Sequence, residues 1–259
     1  MALSEWRSTR RRFGKAVAMV DFVPAWLQGL EQYDQGTYWH SVRTAKYFVR
    51  FTAHLGVCGE RAKYFYASAA LHDIGKLAVP QHVLQKKGRL SHREYRDVKK
   101  HPQLAFEWMS LLREPDEFAR IPYLHHERWD GSGYPLGLRG TEIPYHVRLF
   151  SVIDVWEAMS VNRPYRGAVH QAAVLGYIAR SSGTLFDPEV VDAFLRWRKK
   201  ASGDSWAKLV YPPGASLEKK RGFQWIGFDD EKYSKADPYP CRLHIACIGC
   251  SQNHGDNFG

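Results

Sequence analysis

"HHERWDGSGYP", residues 125–135, puts two adjacent histidines and a carboxylate directly before a turn holding two glycines and a proline. His125 and His126 close a helical stretch, so both imidazoles leave one helix end together. The "DGSGYP" turn then bends the backbone, because glycine takes angles that other residues avoid. A pair of cation-seeking side chains beside a sharp turn asks for a fold that brings further ligands to the same place.

The sequence on either side reads as helix after helix. From Val42 through Ala45, Phe48, Val49, Thr52 and Leu55 the less polar positions recur at steps of three and four. A second helix runs from Tyr64, Phe65 and Ala67 to Leu71 and is predicted to end near Gly75, with Pro80 as a stop. Ser91 and Glu94 have the spacing of a capping box. Pro102 and Pro144 suit first turns, before "QLAFEWMSLL" and "YHVRLFSVIDVWEAM". The last strong helix, "DPEVVDAFLRW", takes Asp187 as cap and Pro188 as first residue. No alternating segment supports a sheet. The expectation is an all-α domain over residues 25–200, between a basic N-terminal arm (1–24) and an irregular, partly disordered C-terminal appendage (201–259) that mixes glycine, proline, aromatics and charges.

Of the 259 residues, 44% are hydrophobic and 25% charged, which suits a soluble globular chain with a real core. No apolar run has the length of a membrane span. The net charge is +10, and residues 201–259 hold seven Lys/Arg against seven Asp/Glu, so the excess lies in residues 1–200. A basic balance fits an anionic partner, whether nucleotide, nucleic acid or acidic membrane surface; a merely solvated basic surface is the alternative. Among the four cysteines, Cys58 stands alone and Cys241, Cys247 and Cys250 cluster, which is no disulfide framework and points to a reducing cytoplasm. Residues 9–15, "TRRRFGK", resemble a twin-arginine export signal, but Asp21 and Pro24 interrupt the short apolar run after it and no small-residue cleavage site follows. The cluster Cys241, Cys247, Cys250 and His254 offers four soft ligands for zinc, yet the spacing favours incidental cysteines in a tail. His54, His82, His92, His146, His170 and His244 receive no role.

"LHDIGK" (71–76) places His72 and Asp73 near a helix C-terminus, about 100° apart around the axis. That end carries partial negative charge and attracts a cation, and Lys76 stands one turn on. A cap histidine with a surface salt bridge is the plainer alternative. Asp154 lies in the apolar "LFSVIDVWEAM", where a carboxylate must neutralise, pair or bind a metal; otherwise it belongs to an exposed stripe with Ser151 and Glu157. His40 precedes the first amphipathic helix and His101 opens another. Each histidine alone is ordinary. Five of them with two aspartates suit iron, manganese, zinc or nickel, and one carboxylate shared by two ions suits two-metal hydrolysis.

These residues resemble the HD-GYP family, a branch of the HD phosphohydrolases. The resemblance runs from about Thr37 to Phe194, through "HSVR", "LHDIGK", "KKHP", the intact eleven-residue GYP motif, "VIDVWEAM", "NRPYR" and "FDPEVV". It implies an HD-domain helical bundle with an HD-GYP extension. The implied activity is metal-dependent hydrolysis of cyclic di-GMP to linear pGpG, in some members onward to GMP, by a metal-bound hydroxide. It also implies His40, His72, Asp73, His101, His125, His126 and Asp154 as ligands of two divalent ions, iron or manganese ahead of zinc or nickel, with Asp73 bridging. Lys76 would stand near the scissile phosphate, and Arg163 and Arg166 would hold substrate phosphates, work that suits the guanidinium fork. The GYP loop is linked in the family to GGDEF-type cyclase domains, and a homodimer is a further expectation.

Two positions depart from the pattern. Gly36 stands where some members have a glutamate tied to a third ion, so two ions are expected. Glu157 stands where an aspartate is common, one turn beyond Asp154, and is expected to support the ligands rather than bind an ion, so the change carries little weight. Rival readings keep the site but change its use: a silent cyclic-dinucleotide receptor, or a phosphodiesterase for cyclic GMP-AMP. A nucleic-acid binder lacks the expected aromatic and basic platform.

Overall fold

Helix begins earlier in this chain than its apolar spacing predicts. The computed structural model describes residues 19–110, 116–161 and 170–201. Within these, α1 spans Met19–Tyr33, α2 Gln35–His54, α3 Gly59–Ala70, α4 Gln81–Leu84, α5 His92–Val98, α6 His101–Met109, α7 Asp116–Leu124, α8 Tyr145–Ser160, α9 Gln171–Arg180 and α10 Pro188–Ala201. Short 3-10 turns occupy Ile74–Ala78 and Gly140–Glu142. Among the described residues no strand forms, only isolated bridges pairing Asp130 with Arg139 and Ser182 with Phe186. The all-α expectation holds. No described helix is long and apolar enough to cross a membrane. Arg163, Arg166, most of the N-terminal arm and the cysteine-bearing appendage lie outside the described residues.

Three local readings shift. Residues 19–24, read as arm, form the start of α1, and Val23 is buried in the core. His40 sits inside α2, not ahead of it, because Asp34 caps the helix by accepting the Thr37 N–H at 3.0 Å. The helix before "LHDIGK" stops at Ala70, so His72 and Asp73 follow the helix end and Gly75 falls in the 3-10 turn. That turn presses on α6: a Cβ on Gly75 would lie 2.0 Å from the His101 carbonyl oxygen and 2.9 Å from the Ala105 nitrogen. Glycine is required there by space alone.

The predicted caps form as read. Ser91 and Glu94 exchange both bonds of a capping box, Pro102 lies in the first turn of α6, and the Glu189 N–H donates to Asp187 Oδ1 at 2.9 Å. Pro144 immediately precedes α8.

Phe48 and Phe51 of α2, Phe150 and Ile153 of α8, and Phe194 and Trp197 of α10 are fully buried together. Phe48 meets Phe150 edge-on at 5.3 Å between centroids, and Phe51 meets Phe194 at 5.8 Å, separations at which aromatic pairs attract. Helix α8 packs against α2, α7, α9 and α10, which is why its sequence is apolar on nearly every side. Helix α7 contains Pro122, which has no N–H for the Phe118 carbonyl. The Ser68 hydroxyl of α3 donates to that oxygen instead, at 2.5 Å, and ties the two helices.

Replacing Gly75 by alanine is expected to destabilise the fold by about 1–3 kcal/mol or more, from overpacking against α6. Gly29→Ala, within α1 with nothing near its Cβ direction, is expected to stabilise by about 0.5–1 kcal/mol. Urea titration of both variants checks the opposite signs.

Candidate metal centre

Asp73 is the hub. Its Oδ2 lies 3.2 Å from His72 Nε2 and 4.0 Å from His40 Nε2, and its Oδ1 lies 3.2 Å from His101 Nε2 and 3.9 Å from His125 Nε2. One carboxylate therefore faces two imidazole clusters with different oxygens. Asp154 Oδ1 closes the first cluster, 2.9 Å from His40 Nε2 and 3.8 Å from His72 Nε2. In the second, the His126 ring centroid lies 4.1 Å from that of His125 and 5.1 Å from that of His101. His40, His72 and Asp73 offer ligand atoms all within 4.8 Å of one another, and so do His101, His125 and His126. The fold thus gathers all seven residues expected as ligands. The exposed-stripe alternative for Asp154 fails, since Ser151 and Glu157 of its helix face are 9% and 1% exposed.

The far nitrogens orient these rings. His72 Nδ1 lies 2.8 Å from the Ala69 carbonyl, His101 Nδ1 2.7 Å from that of Val98, and His125 Nδ1 3.0 Å from that of Pro122. A carbonyl only accepts, so each Nδ1 carries the hydrogen and each neutral ring turns an Nε2 lone pair inward. His101 Nε2 and His125 Nε2 then face each other at 3.2 Å. Two lone pairs at that distance repel unless a cation lies between them, and 3.2 Å is about the span of two donors held roughly 2.1 Å from one ion. His40 differs: Glu157 takes its Nδ1, and its Nε2 faces the buried Asp154 Oδ1 at 2.9 Å. The donor set, nitrogen plus carboxylate oxygen with outward hydrogen bonds, fits divalent transition-metal ions.

Charge at the site follows the same geometry. Burial works against an ionised Asp73, yet the Lys76 ammonium beside it holds its carboxyl well below the usual range. Lys76 Nζ donates to Asp73 Oδ2 at 2.6 Å. Burial likewise opposes the charge on Asp154, and His40 outweighs it. For His40, burial pulls the imidazole down, but bonds to Asp154 and Glu157 raise it to about 9. His125 is driven the other way by burial and the neighbouring histidines. Burial and His101 lower His126 to about 3.

Two carboxylates do more than their sequence context suggests. Glu157 joins His40 of α2 to Arg43, whose Nε donates to its other oxygen. Glu127, inside the quoted motif, is buried and accepts backbone N–H groups from Leu136 at 2.6 Å, Gly137 at 3.2 Å and Leu138 at 3.0 Å. It folds the turn back over its own start. The glycines serve two purposes there: Gly131 has φ +81°, whereas a Cβ on Gly133 would come within 2.4 Å of the Arg128 nitrogen. The result seats the Tyr134 ring on His126, centroids 4.7 Å apart, with the Lys99 ammonium 4.2 Å from the tyrosine ring. In the sequence Glu157 showed as a supporting acid one turn from Asp154, without its partner, and Glu127 only as a carboxylate before the turn.

Residues 24–190 match the HD domain family, to which the chain belongs. It is 43% identical over 146 residues to the cyclic di-GMP phosphodiesterase response regulator RpfG of Xanthomonas campestris, covering 56% of this chain and 39% of that one. It is 35% identical over 150 residues to 3'3'-cGAMP-specific phosphodiesterase 3 of Vibrio cholerae, covering 58% and 33%. The chain therefore spans less than half the length of these curated relatives. The crystal structure of a cyclic GMP-AMP-specific phosphodiesterase of V. cholerae superposes with a TM-score of 0.54 at 15% identity, covering 75% of this chain and 51% of that one. That likeness is one of fold.

Glu157→Gln, which removes the charge that orients His40, is expected to weaken divalent-ion binding about 10–100-fold with the fold intact, read by Mn(II) titration and circular dichroism. The two clusters should also differ in pH response. His40 keeps its proton up to about pH 9, and ligation through Nε2 must release it. Affinity at the His40 cluster is expected to fall about tenfold per pH unit below that value. His125 and His126, which burial keeps neutral, should contribute no such slope near neutrality at the second cluster. Mn(II) titrations at pH 7 and 8 decide; two pH-independent affinities would contradict this account.

Proposed function

We propose that this chain is a metal-dependent phosphodiesterase that hydrolyses cyclic di-GMP to pGpG, in a further step to GMP. The observation that carries the reading is the division of the Asp73 carboxylate between two imidazole clusters, a layout that suits a pair of divalent ions about one bridging group. In this reading His40, His72, Asp73 and Asp154 hold one ion, and Asp73, His101, His125 and His126 hold the other. Iron or manganese stands ahead of zinc or nickel. Bound there, the ions would supply an activated water and neutralise charge on the phosphoryl oxygens.

The protein's own groups do the positioning. Lys76 presents its ammonium beside Asp73 and lines the adjoining groove, where it can hold a phosphate oxygen. Arg163 and Arg166 are proposed to clamp substrate phosphates. Asp73, kept ionised by its neighbours, needs no proton removed before it binds cations. The GYP loop, with Leu136 57% exposed, is the proposed docking surface for a GGDEF-type cyclase domain. Similarity to a relative named for 3'3'-cGAMP makes that dinucleotide the second candidate substrate, because phosphate contacts alone do not read a base.

The test is turnover of both dinucleotides by metal-analysed protein, followed by chromatography. Release of pGpG, loss of activity on chelation and its return with Mn(II) or Fe(II) are expected. Asp73→Asn should cut kcat/KM at least about 100-fold, the upper end of what an outer-sphere change costs. Tight binding of cyclic di-GMP with no product would instead identify a receptor.

A further inference from the structure

A groove of about 1650 Å³ opens beside the metal centre. Its near end is lined by His40, Arg43 and Lys76, and it runs on to the loop between α4 and α5, where Lys86, Lys87 and Arg89 line it. This is far more room than one phosphodiester needs, and larger than common pockets for a drug-sized ligand.

The cations along it are unequal. Arg43 is held by Glu157, Lys76 by Asp73, and Lys86 by both oxygens of Glu94 at 2.9 and 2.7 Å. Lys87 and Arg89 are exposed and have no ion-pair partner among the described residues. Of the acids on the groove wall, Asp34 is committed to the cap of α2. Two uncommitted positive groups therefore stand on the wall at a distance in sequence from every residue given a role above. Trp39, next to His40 in the chain, also lines the groove and is 36% exposed. An exposed indole beside cations is the combination that stacks a base next to a held phosphate.

Resting on the function proposed above, we infer that Lys87 and Arg89 bind the second, unreacted phosphate of a cyclic dinucleotide while its first phosphate lies at the Asp73 centre, with Trp39 stacking a base. The loop thereby selects ligands carrying two phosphates over simple diesters. Charge-assisted bonds to phosphate from two side chains make the effect large enough to measure.

The experiment compares wild type with Lys87→Ala/Arg89→Ala on cyclic di-GMP, 3'3'-cGAMP and bis(p-nitrophenyl) phosphate, a diester with one phosphate. The kcat/KM ratio of dinucleotide to simple diester is expected to fall about tenfold or more, through KM. Lys87→Arg/Arg89→Lys should restore it, and Trp39→Ala should lower it for dinucleotides only. An unchanged ratio with active enzyme overturns the subsite and leaves the phosphodiesterase reading standing. An equal loss on all three substrates overturns it too, by assigning the loop to the reaction or the fold. If wild type turns over no dinucleotide, the phosphodiesterase reading falls, and calorimetric binding of cyclic di-GMP decides the subsite alone. Binding weakened about tenfold in the double variant supports it; equal binding, or none, sinks it.

Discussion

Around Asp73 there are more acceptors than protons. Three imidazoles have committed their Nδ1 hydrogens to main-chain carbonyls and aim lone pairs at one carboxylate. Neutral rings would repel each other and the carboxylate, and several protonated rings packed this closely would repel as cations. A divalent ion removes both conflicts, because it accepts lone pairs from nitrogen and oxygen alike. The same need explains His40, which has one proton in its neutral form and a carboxylate at each nitrogen. Without an ion it must stay protonated, and its imidazole is raised accordingly.

Much of this was written in local sequence. Helix caps at Ser91 and Asp187 and the first-turn proline of α6 depend on neighbours within four residues, and they form where read. The candidate set was legible because histidines and aspartates recur at helix ends and in one apolar helix, and the family resemblance implied a ligand role for them. What could not be read depends on contacts across the chain. Glu157 lies 117 residues from His40, so its place one turn from Asp154 was legible but its partner was not. The early start of α2 rests on Asp34, whose effect outweighs an apolar pattern that begins later. The early stop of α3 goes with the pressure of α6 on Gly75, which no spacing rule anticipates.

The turn at residues 130–135 illustrates the difference. Its glycines suggested a bend, and Gly131 does adopt a left-handed angle. Gly133 is glycine for another reason, since the loop folds back until its Cα touches residues 126–128. That return is held by Glu127, a buried carboxylate that satisfies three successive N–H groups. Because a buried carboxylate must find hydrogen-bond donors, the loop and this side chain specify one another. The outcome is a tyrosine ring fixed over His126.

A general reason links the histidines to their places in the fold. The last carbonyls of a helix lack intrahelical donors, so a histidine just past the end can bond one of them three or four residues back. His72 does this after α3, His101 after α5, and His125 after α7. Each helix terminus thus supplies the outer bond that sets the tautomer of its own histidine, with no other side chain needed. His40 lies within α2, where the carbonyls are already used by the helix. It must borrow its outer acceptor from a side chain, and the Thr44 hydroxyl of its own helix stands farther off, at 3.4 Å, than the carboxylate that a neighbouring helix offers. Glu157 on α8 fills that role, with Arg43 balancing its charge. The packing of α2 on α8 is therefore a condition of the site as well as of the core, and the central position of α8 follows from both.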